Sequence, residues 1–423
     1  MNKKLDFINL KYRPKGKDLI CLFKIDPAKG LSVKEAANTV ALESSVGTWT
    51  SVKKIDYYEK LKAKVFSLGG HLVKIAYPQE LFEYDNIPNI LSSIAGNIMG
   101  MKAVNSIRLE DISFPKSILR KYKGPQYGIK GIRKMMKVKG RPLVGTIIKP
   151  KLGLNVRHHA ESAYESWIGG CDIVKDDENL SSQKFNNFEK RIAKTLDMAD
   201  KAEKETGEKK GYLANVTAET NKMIQRAQAV QDLGGKYIMV DVITSGWAAV
   251  QTLREVGFKM AIHAHRAMHA AFDRNPDHGI SMMVMADFAR LAGMDQLHIG
   301  TGIGKLEGDI NVIKEIEQEI ENSKVKETKI RLEQNWRNIK STLAVSSGGL
   351  HPGHVPFLMK NLGNDLVIQM GGGIHGHPDG TRAGAKASRQ AVNAVLNHQS
   401  LGEYSKLRKE LRRALVYWKY FRK

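Results

Sequence analysis

The chain has 423 residues, 42% of them hydrophobic, and its 67 Lys and Arg against 44 Asp and Glu give a formal net charge of +23. That length and apolar share exclude a disordered tail and leave room for two domains, one of them large. Two cysteines in apolar runs exclude a disulfide framework, and the absence of an apolar N-terminal stretch or of any 20-residue apolar run, the length a span needs at roughly 1.5 Å per residue, excludes export and membrane insertion; a cytoplasmic protein is expected.

The positive charge implies anionic partners, either nucleic acid or phosphorylated small molecules. Segment 116–141 is the densest basic stretch, with ten Lys or Arg and no acid. Its only aromatics, Tyr122 and Tyr127, make a poor stacking platform for bases, so it reads as a solvated face or a linker.

In chain order, apolar alternation predicts a strand over 18–25, helical spacing a helix over 33–44, and then strands over 47–53 and 71–77, a helix over 86–95 and a strand over 103–114. That β-α-β-β-α-β order is the one of a ferredoxin-like α+β domain, expected over 1–120. Over 121–423 short apolar strands alternate with helical segments such as 186–206, 221–233 and 280–292. The strands fall at 143–148, 171–174, 212–214, 237–240, 260–262, 296–299, 343–345 and 367–370. Eight βα units predict a TIM barrel with C-terminal helices, in which catalytic groups stand at the C-terminal ends of the strands. An open doubly wound sheet is the other reading, but no G-x-G-x-x-G opens a first βα turn.

The predicted strand ends carry Lys149 and Lys151; Lys175, Asp177 and Glu178; Asn215 and Thr217; Asp241; His265 and Arg266; His298; Ser347, Gly348 and Gly349; and Gly371 and Gly372. In the run Lys175-Asp176-Asp177-Glu178, alternation sends Lys175 and Asp177 to one face and Asp176 to the other. Carboxylates so close repel unless a cation joins them, and oxygen ligands suit a hard ion such as Mg²⁺. An ammonium beside that ion would be repelled, whereas a lysine carrying CO₂ as a carbamate would be another oxygen ligand. Read alone, the acidic run is also an ordinary solvated βα loop. Gly348-Gly349 and Gly371-Gly372 end strands seven and eight, where barrels bind phosphate through backbone N–H groups. Arg266, His298 and Ser347 would form a second anion site. Two phosphate sites about one metal predict a bisphosphorylated substrate held as an enediolate. The loop from Thr301 to Gly308, with Lys305 between glycines, has the composition of a mobile lid.

The motifs GTIIKPKLGL, GGCDIVKDDEN, HAHRAMHA, HIGTGIGKLEG, VSSGGLHPGH and QMGGG, with ESSVGTWT and GNIMGMK nearer the N-terminus, resemble those of the large chain of ribulose-1,5-bisphosphate carboxylase/oxygenase (RuBisCO) over nearly the whole length. The short chain and LHPGH look most like the archaeal-type form III. The resemblance implies that the Lys175 carbamate, Asp177 and Glu178 hold Mg²⁺, after activation by CO₂. Lys149 would protonate the product carbanion beside Lys151, and His265 and His298 would line the sugar. Arg266, His298 and Ser347 would hold one phosphate; Gly348, Gly349, Gly371 and Gly372, with Thr48 and Trp49, the other. Lys305 would stabilise the new carboxylate. Glu43 and Asn97 would reach in from a partner subunit, in a homodimer or an assembly of dimers without a small subunit.

The implied activity is carboxylation of ribulose 1,5-bisphosphate by CO₂, with O₂ competing; nucleotide (AMP) salvage is the expected source of the bisphosphate, and a phosphoribulokinase is the other reading. One departure is visible, Ile374-His375, where the family usually shows Thr-Leu. The rivals are a RuBisCO-like enolase or isomerase, which would not fix CO₂, and a basic nucleic-acid-binding protein on an inherited barrel, which would bind RNA without turnover. The family's sites, all present here, disfavour both, and neither nucleic acid nor a membrane is expected as a partner.

Overall fold

A computed structural model describes residues 6–48, 59–304 and 308–420. The chain forms two compact units, one of residues 1–124, 268–292 and 322–339, the other of 125–267, 293–321 and 340–423.

The first unit is built on strand Asp18–Pro27, in which Leu19, Cys21, Phe23 and Ile25 are fully buried at period two. It pairs antiparallel with Val104–Ser113 on one side and Leu72–Pro78 on the other. Lys64–Gly69 pairs with Leu72–Pro78 at one sheet edge, and the short strand Gly279–Ile280 lies parallel to Val104–Ser113 at the other. Helix Val33–Glu43 starts in a reciprocal Ser32–Glu35 capping box and buries Ala36, Ala37, Val40 and Ala41, and helix Ile87–Ile94 buries Ile87, Ile90 and Ile94. The ferredoxin-like order of elements is as expected, with one misplacement. Gly47 and Thr48 are not in a strand, the rest of 47–53 is outside the described residues, and the second strand is Lys64–Gly69. That edge strand fully buries only Val65, so it lacks the alternation by which a strand is read.

The second unit contains the expected barrel. Its strands are β1 (Leu143–Ile147), β2 (Ile173–Lys175), β3 (Gly211–Asn215), β4 (Tyr237–Asp241), β5 (Ala261–His265), β6 (Gln296–His298), β7 (Leu343–Ser347) and β8 (Leu366–Gln369). Each pairs in parallel with the next, and β8 pairs with β1 to close the cylinder. The basic segment, which crosses the boundary between the units, is more than a linker or a solvated face. Within this unit its helix Gly128–Met136 packs Ile132 and Met136 against Leu143, Ile173, Leu213, Tyr237, Leu343 and Val367, closing the N-terminal end of the barrel. Its arginines tie down strand starts: Arg141 grips Asp172 through two bonds of 2.7 and 2.8 Å, and Arg133 bonds Asp365 and the Asn364 carbonyl.

Helix Ile310–Glu321 carries two carboxyls, Glu317 and Glu321, whose Oε1 atoms have no hydrogen-bond partner among the described residues. Burial pushes Glu317 up to about 8; burial, then the neighbouring Glu317 and Asp365, push Glu321 up to about 9. The folded state therefore holds protons that the unfolded chain releases near an ordinary carboxyl pKa of about 4.3, so stability falls as pH rises from there through 8 to 9. Glu317→Gln and Glu321→Gln are each expected to add about 1 kcal/mol at pH 9 and almost nothing at pH 4. Denaturant titrations at the two pH values measure this; equal effects at both would contradict it.

Candidate functional site

Strand β2 turns polar at Lys175, whose side chain is fully buried at the C-terminal end of the barrel. Its Nζ donates to the Asp176 carbonyl at 2.8 Å and to Glu178 Oε2 at 3.1 Å. Asp177, on the same face, accepts a 2.7 Å bond from Lys149 Nζ at the end of β1. Burial pushes the Glu178 carboxyl up, but the charges of Lys175 and His265 outweigh it and hold the group at about 2. Asp176 points the other way, as alternation requires. It accepts from Arg191 Nε at 3.3 Å, Tyr212 Oη at 2.7 Å and the Asn215 amide at 3.0 Å, with His159 Nε2 3.0 Å away. The Asn215 side chain donates to the Glu178 and Leu180 carbonyls, both at 3.0 Å. The loop's outer side is thus pinned while its inner side presents Lys175, Asp177 and Glu178.

Across the mouth, β5 places His265 with Nε2 3.5 Å from Glu178 and Nδ1 3.7 Å from Asp241. His298, at the end of β6, stands edge-on to His265 with ring centres 4.8 Å apart. Beneath them His263 bonds His298 at 2.8 Å and Gln296 at 2.8 Å. Burial, reinforced by neighbouring positive charge, holds His263 down at about 3 and His298 well below the usual imidazole value. Both are neutral at physiological pH. The Arg266 guanidinium lies beside Gly300, where an added Cβ would stand 3.3 Å from it.

On the remaining arc, β7 ends in Ser347, followed by Gly348 and Gly349 at φ of +139° and +67°, and paired β8 leads into Gly371 and Gly372. A Cβ on Gly371 would come within 3.1 Å of Lys149 Cε, so this backbone lies against the lysine. Gly304, at φ +98°, rests against the Gly348 carbonyl, which a Cβ would approach to 2.8 Å. Lys151 is exposed and bonds Asn179 at 3.2 Å. Ile374 is buried, and His375 is bracketed by Thr146 at 3.1 Å and Thr381 at 3.0 Å, with burial and then the Lys149 charge holding it down at about 4.

The barrel unit thus brings together Lys149, Lys175, Asp177, Glu178, His265, Arg266 and His298, with Lys151, Ser347, Gly348, Gly349, Gly371 and Gly372 on the same rim. Glu43, at the end of helix Val33–Glu43, Thr48 and Asn97 belong to the other unit, and Trp49 and Lys305 lie outside the described residues. Sequence reasoning passed over the Arg191–Asp176–Tyr212 support and the Gln296–His263 pair. The available signal was polar residues inside otherwise apolar strands, which need buried partners.

The donor chemistry fits a divalent ion. A carbamate at Lys175 with Asp177 and Glu178 would give three anionic groups, balanced by a dication and the Lys149 ammonium. Among the described residues no three His, Cys, Asp or Glu side chains form a metal cluster by themselves.

Two family models match the chain: the ribulose bisphosphate carboxylase large chain N-terminal domain over residues 6–118 and its catalytic domain over 128–418. The ribulose bisphosphate carboxylase of Methanocaldococcus jannaschii is 52% identical, with 98% of this chain and 100% of that one covered. That of Pyrococcus abyssi is 47% identical over 99% and 97% of the two. Among solved structures, the dimeric archaeal Rubisco of Hyperthermus butylicus superposes with a TM-score of 0.93 at 47% identity, covering 98% of this chain and 99% of that one. The octameric enzyme of Pyrococcus horikoshii gives 0.91 at 46% identity, covering 97% and 96%. The chain belongs to the ribulose bisphosphate carboxylase large-chain family.

Proposed function

We propose that the chain is a ribulose-1,5-bisphosphate carboxylase that adds CO₂ to the enediolate of its substrate, with O₂ competing, and releases two molecules of 3-phosphoglycerate. The observation that carries this reading is the fully buried Lys175 bonded to Glu178, two residues before the Asp177 that Lys149 grips. The Lys175 ammonium loses one proton, and its amine then adds CO₂ and loses a second to become the carbamate. Mg²⁺ held by that carbamate, Asp177 and Glu178 would supply a positive field for the substrate's oxygens. The carbamate takes the C3 proton, CO₂ bonds to C2, water adds at C3, and the C2–C3 bond breaks. Lys149 then protonates the carbanion left at C2. Arg266, His298 and Ser347 serve one phosphate, and the Gly348-Gly349 and Gly371-Gly372 backbones, with Thr48 and Trp49, serve the other. Lys151 and His265 orient the substrate, and Lys305 meets the new carboxylate.

The proposal includes a cytoplasmic enzyme using bisphosphate from nucleotide (AMP) salvage. No described helix is long and apolar enough to cross a membrane. Fixation of labelled CO₂ into acid-stable product, dependent on ribulose 1,5-bisphosphate and on preincubation with Mg²⁺ and CO₂, tests the activity; enolisation without incorporation would refute it.

We further propose homodimers, alone or assembled, without a small subunit, in which Glu43, Thr48, Trp49 and Asn97 complete the partner's site. Co-expression of inactive Asn97→Ala and Lys175→Ala chains is then expected to restore about a quarter of wild-type activity, since half the dimers are mixed and half of their sites are intact. Mixed dimers that stay inactive would show that the residues act within one chain.

A further inference from the structure

The Gly371-Gly372 backbone begins where the barrel's own bonding stops. The ladder between β8 and β1 ends with the Met370 amide on the Gly145 carbonyl at 2.9 Å, and Gly371 is the next residue. Residues Gly372–His375 then make one helical turn. It is closed by the Ile374 and His375 amides on the Gly371 carbonyl, at 3.0 and 3.1 Å, and by the Gly376 amide on the Gly372 carbonyl at 2.8 Å. These bonds use the carbonyls of Gly371 and Gly372, so the amides of the two glycines are left without a partner inside the turn. A single turn is not stable by itself, so what it leans on decides where those amides aim.

Two side chains carry the bonding between β8 and β1 past the end of the ladder. Thr146 Oγ1, on β1, donates to the Met370 carbonyl at 2.8 Å, which uses its one proton. Toward His375 Nε2, 3.1 Å away, that oxygen then only accepts. The imidazole, held neutral by burial and the Lys149 charge, therefore carries its proton on Nε2. Its bare Nδ1 accepts from Thr381 Oγ1 at 3.0 Å, at the first position of helix Thr381–Leu396. Both ring nitrogens have partners, and the proton direction rests on a carbonyl, which only accepts. Backbone closes the other flanks of the turn: a Cβ on Gly373 would collide with the Leu350 carbonyl, and one on Gly384 with the Ile374 carbonyl. His375 thus ties the turn to β1, whose continuation lays Lys149 against Gly371.

We propose that His375 is a positioning residue: donating through Nε2 to Thr146 and accepting through Nδ1 from Thr381, it aims the Gly371-Gly372 amides at a phosphate of the substrate. The phosphate rests on the bisphosphate reading given above; the bonding of the ring does not. Leucine, usual in the family where His375 stands, has no polar side-chain atom and makes neither bond.

The test uses the whole enzyme, with ¹⁵N-histidine spectra for the ring and calorimetric titration of ribulose 1,5-bisphosphate, without CO₂ or Mg²⁺, for the amides. Wild type is expected to show His375 protonated on Nε2 and bare at Nδ1; the opposite tautomer would overturn the proposal. His375→Leu should weaken binding of the bisphosphate and raise its KM about fivefold, the worth of one net hydrogen bond, with kcat almost unchanged. A glutamine amide nitrogen reaches the place of Nε2, and an asparagine amide oxygen that of Nδ1. His375→Gln should therefore keep the bond to Thr146 and bind almost as wild type does, whereas His375→Asn should bind as weakly as His375→Leu. Thr146→Val should weaken binding at least as much, and adding His375→Leu to it should cost little more. Unchanged binding in His375→Leu, or equal weakness of the Gln and Asn variants, would show that the ring only fills space. A wild type that binds the bisphosphate but fixes no CO₂ would sink the carboxylase reading and leave this one standing; a wild type that does not bind it would overturn both.

Discussion

Lys175→Ala is expected to abolish activation by CO₂ and Mg²⁺ and to cut turnover by at least about 10²–10⁴-fold, the share of a positioned general base alone. The side chain has no exposed surface, and its Nζ is the group within 3.1 Å of Glu178. On the proposed reading, alanine removes the only atom at that position able to take up CO₂ and leaves Asp177 and Glu178 without a third oxygen ligand. The fold should survive, because the strand's backbone pairing with β1 and β3 does not use the side chain, and Asp176 remains fixed by Arg191, Tyr212 and Asn215. Loss of the buried pair with partly exposed Glu178 should cost about 1–3 kcal/mol. Carbon-13 spectra after incubation with labelled CO₂ should show a carbamate signal in wild type and none in the variant, while unfolding curves remain cooperative. A variant that still responds to CO₂ preincubation would remove Lys175 from the role of activator.

Lys305→Ala is expected to separate two halves of the reaction. Enolisation needs a base at C3, whereas the lid lysine meets negative charge that exists only after CO₂ has added at C2. Exchange of the C3 proton with solvent should persist near the wild-type rate while fixation falls about 10²–10³-fold, the usual cost of losing one donor to a developing oxyanion. The seat of the lid supports a local effect, since Gly304 packs on the Gly348 carbonyl and a Cβ on Gly302 would meet Ile310 at 2.8 Å, contacts that do not involve the lysine side chain. Equal loss of exchange and fixation would mean that Lys305 is needed to hold the substrate from the start.

What the sequence determined by itself follows from covalent geometry. A strand alternates its side chains whatever surrounds it, so the opposite facing of Lys175 and Asp176 was legible from one short run, and eight apolar strands spaced by helical segments were enough for a barrel. The same logic located the rim residues, because parallel strands in a barrel deliver their C-terminal ends to one side. It failed for Lys64–Gly69, an edge strand with one fully buried residue, and for 116–141, where ten basic residues masked the apolar face of helix Gly128–Met136 that closes the barrel floor. Only the tertiary structure decided which polar groups meet across strands. The bonds from Gln296 to His263 and on to His298 join β5 and β6, and Lys149 reaches Asp177 from β1 to β2; each depends on the register between strands, a long-range property that no local pattern encodes.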